Sequence, residues 1–159
     1  MRLFIAIPLP KKAKEKLAEL QQKIPGVRKA RPEQMHMTLR FIGDADPGEW
    51  IKKMDSIEEA PFKIVLDRIG AFPEKKRIRV LWAGCGPSQS LLNIHRVIGE
   101  GEPSPHVTLA RFREPPGEEV KSLVGERIRV EFGVDRIVLF NSTLGPGGAT
   151  HEVVHEKTL

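Results

Sequence analysis

The chain has 159 residues, 40% of them hydrophobic and 30% charged, a length and balance that give one globular domain with a core of its own. No apolar run approaches the roughly 20 residues that span a bilayer, so no membrane association is expected. Cys85 is the only cysteine, which excludes an intramolecular disulfide and a cysteine zinc cluster and makes a reducing cytoplasm the simplest home, while the net charge of +5 favours an anionic partner such as RNA or a phosphate ester.

Residues 2–7 (RLFIAI) read as a strand, since the apolar run is too brief for a secretory signal and no small-residue cleavage site follows. A helix over 11–24 places Ala13, Leu17, Leu20 and Ile24 on one stripe, and Pro25-Gly26 stops it. Residues 35–43 (MHMTLRFIG) alternate in period two, with Met35, Met37, Leu39 and Phe41 on one face and His36, Thr38 and Arg40 on the other. A short helix near 47–56, strands near 62–69 and 77–83, and a helix near 88–98 come next, before the Gly- and Pro-rich loop GEGEPSP. The stretch 106–112 (HVTLARF) is a strand, followed by a short helix near 117–124 and strands near 127–132, 135–141 and 150–155. Several neighbouring strands are joined by links too short for a crossover helix, so the class is α+β with much antiparallel pairing. Asn93 and Asn141 are the only asparagines among plentiful Lys, Arg and Glu, a balance that hints at a thermophile.

One internal similarity stands out: HMTLRF at 36–41 and HVTLARF at 106–112, a repeat of about 70 residues that suggests two related lobes. Each copy puts His and Thr two residues apart on one strand face. Such a pair has a specific use. A phosphodiester attacked by water carries its nucleophile and leaving oxygen on opposite sides of phosphorus. One group must take a proton on one side while another gives a proton on the other. Imidazole suits both tasks near neutral pH. Thr38 and Thr108 can donate hydroxyls to the remaining phosphate oxygens, a guanidinium can add a charge-assisted fork, and no metal or cofactor is required. The bland alternative is a pair of strands with incidental histidines, whose threonines merely favour a sheet.

These residues resemble the 2H phosphoesterase superfamily. The ordered segments MRLFIAIPLP, HMTLRFIG, IGAFPEKKRIRVLWAG and PHVTLARF are similar to its bacterial and archaeal branch, the RNA 2′,3′-cyclic phosphodiesterases first named 2′-5′ RNA ligases. The resemblance implies a bilobal α+β fold over residues 1–159, with two pseudo-twofold-related lobes of antiparallel sheet plus helices around a central groove. It implies opening of an RNA 2′,3′-cyclic phosphate to a 2′-phosphomonoester, with joining or cleaving of 2′-5′ linkages, by a protein that is a monomer by default. His36 would then be the general acid and His106 the general base, with Thr38 and Thr108 holding the phosphate and Arg111 adding charge. Spacing complicates the last assignment. Arg111 lies five residues after His106, so strict alternation sends it to the opposite face unless a bulge or strand end turns it inward. Arg40 lies four after His36, which keeps it on the catalytic face as a phosphate or RNA contact. Compared with the family pattern, the GEGEPS link and the segment between Gly43 and Pro61 are short, which bears on reach toward longer RNA.

Other candidates compete. HEVVH at 151–155 matches His-Glu-x-x-His, a zinc-peptidase signature when it lies on a helix. The preceding GPGGAT and the paired valines favour a strand, in which His151, Val153 and His155 share a face and Glu152 points away. His95 reads as an ordinary helix residue. Phe4 and Trp82 are core positions or base-stacking platforms, and PEKKRIR (73–79) is a solvated hairpin or an RNA-backbone contact. An RNA- or nucleotide-binding module without turnover is the remaining alternative, and the intact His-x-Thr pairs argue against it.

Overall fold

Every strand pairing in the computed structural model, which describes residues 1–25, 28–73 and 77–159, is antiparallel. In chain order the elements are β1 (Arg2–Pro8), α1 (Lys11–Gln21), β2 (Arg28–Lys29), a 3-10 turn (Pro32–Gln34), β3 (His36–Asp44), α2 (Pro47–Asp55) and β4 (Phe62–Phe72). They continue with β5 (Val80–Gly84), α3 (Gln89–Ile98), β6 (His106–Arg111), α4 (Glu118–Lys121), β7 (Arg127–Val134), β8 (Arg136–Gly145) and β9 (Gly148–Thr158). The strands form two sheets, a four-stranded one in the order β3-β1-β8-β9 and a five-stranded one in the order β2-β6-β5-β4-β7. No described helix is long and apolar enough to cross a membrane.

Local chemistry accounts for the helix boundaries. Asp46 caps α2 by accepting from the Gly48 N–H and Pro47 opens its first turn, while the Ser88 hydroxyl accepts from the Leu91 N–H at the start of α3. α1 begins after Pro10 without a side-chain cap and ends at Gln21, earlier than the apolar stripe suggests. Its buried face also includes Gln21, a polar residue only 5% exposed. Gly26 and residues 74–76 lie outside the described residues, and with them Glu74, Lys75 and Lys76 of the basic stretch 73–79.

The 70-residue repeat corresponds to two strand-helix-strand units, β1-α1-β3 and β5-α3-β6. Their helices are exchanged. α1 lies against β6 and β7 of the five-stranded sheet, whereas α3 packs on β3 and on α2, which in turn contacts β9 of the four-stranded sheet. β3 and β6 also meet where the sheets adjoin. One continuous apolar cluster runs from Leu3, Ile5 and Met37 of the first sheet to Leu66, Leu81 and Leu109 of the second. The short 99–104 link is pinned to α3, because the His95 Nε2–H donates to the Gly101 carbonyl at 2.7 Å.

Trp82 marks a point where packing demands glycine. Its ring lies across Gly70, its partner on β4, and Gly84, two residues along its own strand. A methyl at Gly84 would come within 2.6 Å of the indole and 2.7 Å of the Pro105 carbonyl, and one at Gly70 would overlap the ring outright. Since such overpacking costs about 1–3 kcal/mol, Gly70→Ala is expected to lower the unfolding midpoint in denaturant by a corresponding amount. Gly133→Ala on β7, where nothing lies within 4 Å, serves as the neutral control. Equal midpoints for the two variants would refute the account of the Trp82 seat.

Candidate active site

The two His-x-Thr strands carry matching β-bulges. On β6, Thr108 pairs with Trp82 and Ala110 with Leu81, which leaves Leu109 as an extra residue. Leu109 and Ala110 are therefore both turned to the buried side, and Arg111 returns to the face of His106 and Thr108. On β3, Thr38 pairs with Ala6 and Arg40 with Ile5, which leaves Leu39 as the extra residue. Here Leu39 and Arg40 both leave the groove and Phe41 returns to it. The expected alternation along β3 thus holds only as far as Thr38, and the placement of Arg40 on the groove face is corrected. Its guanidinium instead donates to the Gly99 carbonyl at 3.1 Å, lies 3.5 Å from Glu100, and stands over the Trp50 ring at 5.1 Å.

His36, Thr38, His106, Thr108 and Arg111 line one groove between the sheets. Lys29, Arg31 and Arg2 line it too, and no Asp or Glu is among its described lining residues. Such a wall selects for an anion. One end is bounded by the β8–β9 hairpin, held by the Arg31 guanidinium donating to the Gly147 carbonyl at 2.7 Å and the Gln34 amide donating to the Ala149 carbonyl at 2.6 Å.

Each histidine rests on aromatic rings. His36 stacks on Phe4 at 5.0 Å between centroids, with Phe140 at 5.9 Å and the edge of His151 at 5.5 Å. His106 meets Phe72 edge-on at 5.1 Å and Trp82 at 6.0 Å. Phe4 is only 5% exposed and Trp82 lies among rings and glycines, so both support the histidines from the sheet. The His106 Nδ1–H donates to the Ser104 carbonyl at 2.7 Å, because a carbonyl can only accept. That fixes the neutral tautomer with its lone pair on Nε2. The backbone of Gln34, also two residues upstream, likewise favours the protonated form of His36.

Burial, the nearby His151 and Lys14 push His36 down to about 4, against the opposing effect of the Gln34 backbone. Burial lowers His106 as well, with its bond to Ser104 opposing and the Arg111 charge adding to the depression. Both rings are therefore neutral in the open groove near pH 7.

His151 and the supporting Phe72 and Phe140 are neighbours that sequence reasoning missed. HEVVH does lie in a strand, yet His151 and His155 do not share a face. β9 has its own bulge at Val154, because Leu139 pairs with His155 and Phe140 with Val153. His151 faces the groove, whereas His155 Nε2 meets Asp55 on α2 at 2.7 Å. Two histidines on opposite faces of a strand cannot form the two-imidazole pair of a zinc peptidase. Among the described residues no three His, Cys, Asp or Glu side chains are grouped to hold one metal ion.

The profile of the LigT-like phosphoesterases matches residues 7–82 and 89–151. A protein of Methanocaldococcus jannaschii named RNA 2′,3′-cyclic phosphodiesterase is 33% identical, over 98% of this chain and 99% of its own. A protein of Aquifex aeolicus with the same name is 31% identical, over 79% and 78%. Among solved structures, TT0787 of Thermus thermophilus superposes with a TM-score of 0.79 at 27% identity, covering 100% of this chain and 98% of that one. E. coli LigT complexed with 3′-AMP gives 0.79 at 21% identity, covering 99% and 97%, a likeness of fold.

The depressed His36 value has a consequence for stability. Since it lies below the ordinary 6.5, the unfolded chain takes up that proton first as pH falls. The contribution is complete above pH 6.5 and is lost as pH falls from there to about 4. Thermal unfolding is expected to show a smaller loss of Tm over that window in His36→Gln than in the parent protein. Parallel Tm curves would rule out burial of a neutral His36 as the cause.

Proposed function

The chain belongs to the LigT-like phosphoesterase family, and on that premise we propose that it hydrolyses RNA 2′,3′-cyclic phosphate ends to 2′-phosphomonoesters. The observation that carries this reading is the pair of His-x-Thr strands, one from each sheet, facing one groove lined with cations. The names of the M. jannaschii and A. aeolicus relatives support the substrate class.

In this mechanism a water oxygen attacks phosphorus as His106 Nε2 removes its proton. The P–O3′ bond breaks on the far side, and O3′ takes a proton from His36. His36 is neutral before substrate arrives, so its role requires proton uptake with the phosphate, whose negative charge favours imidazolium. Arg111 disfavours the imidazolium form of His106 and suits that ring to act as base. Thr38, Thr108 and Arg111 hold the non-bridging oxygens, and the negative charge that builds on them is met by fixed donors. No metal takes part. Joining of 2′-5′ ends follows the same path with the 5′-hydroxyl of a second RNA in place of water, and cleavage of that linkage is its reverse. We take residues 1–159 as one bilobal domain on the continuity of its core, acting as a cytoplasmic monomer.

The test is to incubate an RNA ending in a 2′,3′-cyclic phosphate with the protein in EDTA and to identify the product. A 2′-phosphate is expected, and an intact substrate or a 3′-phosphate would sink the reading. His36→Ala and His106→Ala should each lose about 10²–10⁴-fold in kcat. Sulfur at the bridging 3′ position leaves without a proton, so it should restore turnover to His36→Ala and not to His106→Ala. Rescue of the wrong variant would exchange the two roles. Arg111→Ala should cost about 100-fold in kcat/KM, whereas Arg40→Ala should mainly lower the Tm, because its partners lie on the far side of β3.

A further inference from the structure

The groove is larger than its catalytic centre needs. Its volume is about 1210 Å³, whereas roughly 300–1,000 Å³ holds a drug-sized ligand. Part of the remaining space lies at the hairpin-bounded end, where residues 29–34 cross from β2 of the five-stranded sheet toward β3 of the four-stranded one. Arg31 in that segment is held without being neutralised. Its Nη2–H donates to the Gly147 carbonyl at 2.7 Å, and among the described residues no carboxylate pairs with it. Arg40 shows the contrast, because its bond to the Gly99 carbonyl at 3.1 Å is joined by Glu100 at 3.5 Å. A neutral acceptor orients a guanidinium and leaves its full charge, with the rest of its donor fork, for a ligand. Lys29 lines the same end.

The hairpin beside Arg31 presents backbone in place of side chains. Gly145, Gly147 and Gly148 surround Pro146, and a Cβ added at Gly147 would meet nothing within 4 Å. Gly148 has φ +106°, a conformation that side chains disfavour. A polymer backbone can pass close over such a rim.

We propose that Arg31 seats a second phosphate, the phosphodiester that joins the terminal nucleotide to the rest of an RNA chain, so that the groove selects chain ends over free cyclic mononucleotides. The inference rests on the phosphodiesterase reading above and deepens it. In that mechanism O3′ leaves toward His36, so the ribose lies on the His36 side of the reacting phosphorus. From C5′ of that ribose the chain continues to the next phosphate. Arg31 stands on the same side, because a single 3-10 turn, Pro32–Gln34, separates it from Met35 and His36. Gln34 ties that turn to the hairpin at the Ala149 carbonyl, so the seat and the acid share one support. Arg111 meets the reacting phosphate from the other sheet, and the two arginines divide the two charges.

Turnover of adenosine 2′,3′-cyclic phosphate is compared with that of the 3′-5′-linked dinucleotide of adenosine ending in the same cyclic phosphate. The parent protein should favour the dinucleotide about 10- to 150-fold in kcat/KM, the range for one hydrogen bond to a charged group. A neutral methylphosphonate in the linkage should abolish that advantage. Arg31→Ala should lower the dinucleotide-to-mononucleotide ratio by the same factor, chiefly through KM, with partial recovery in Arg31→Lys. Gly147→Glu, which sets a carboxylate beside the guanidinium in open space, should lower the ratio as well. For the dinucleotide, the slope of log kcat/KM against log salt should become shallower by about 0.7 in Arg31→Ala, the value for one phosphate contact on a single strand. Equal losses on both substrates would leave Arg31 only the task of holding the hairpin and overturn the seat. An advantage that is absent in the parent protein, or that survives the methylphosphonate, would overturn it too. If the parent protein turns over neither substrate, the phosphodiesterase reading fails by itself. Calorimetric titration with the dinucleotide 2′-phosphate and its methylphosphonate analogue then decides the seat, since weaker binding of the neutral analogue supports a second anion site and equal affinities refute it.

Discussion

The arrangement of the groove depends on one carbonyl group. Strand geometry alternates side chains strictly, so a strand carrying His106 and Thr108 into the groove would carry Arg111 out of it. The extra residue Leu109 resets that parity, and its carbonyl accepts from the Ala30 N–H at 3.0 Å and from the Gln21 amide at 2.9 Å. Gln21 completes its second bond with the Ala30 carbonyl at 2.7 Å. A buried amide with both donors satisfied is tolerable, whereas a buried bulge carbonyl without partners would be costly. Gln21 thus belongs to the site although it touches nothing in it.

The same logic explains which features were legible in the sequence. Composition, strand and helix order, and the paired His-x-Thr motifs could be read because they rest on short-range periodicity. Their face assignments hold for His36, Thr38, His106 and Thr108, which precede the bulges. Beyond Leu39 they fail, because an extra residue leaves no mark in a single sequence when the inserted side chain is an ordinary leucine. Arg40 and Phe41 were exchanged for that reason. For Arg111 the required bulge could be inferred in advance, since a functional expectation conflicted with the alternation. The Val154 bulge, which separates His151 from His155, gave no such warning.

Aromatic support shows a second limit. Phe4 and Trp82 were singled out as aromatic, but whether a ring stacks on a base or bears a histidine depends on what covers its faces. Phe4 carries His36, and Trp82 sits beneath His106 on Gly70 and Gly84. Phe140 and His151 come from the far end of the chain, so no local pattern connects them to His36. Burying imidazoles among rings also sets their electrostatics. The same packing that holds His36 in place makes its charged form costly until an anion is present, so positioning and proton affinity are linked.

The exchange of helices between the lobes bears on heredity as well as on architecture. α1 is encoded beside the strand that leads to His36, yet Gln21 at its end fixes the strand that carries His106. α3, encoded between the strands of the second unit, packs on β3 of the first. A gene duplication can create two such units, but once their helices have crossed, neither half can be traded for the corresponding half of a distant homologue without mispairing a helix and a sheet. Chimeras joined between the units would inherit two intact His-x-Thr motifs and a mismatched scaffold beneath them. Covariation across the 70-residue repeat should therefore link helix positions in one half to strand positions in the other.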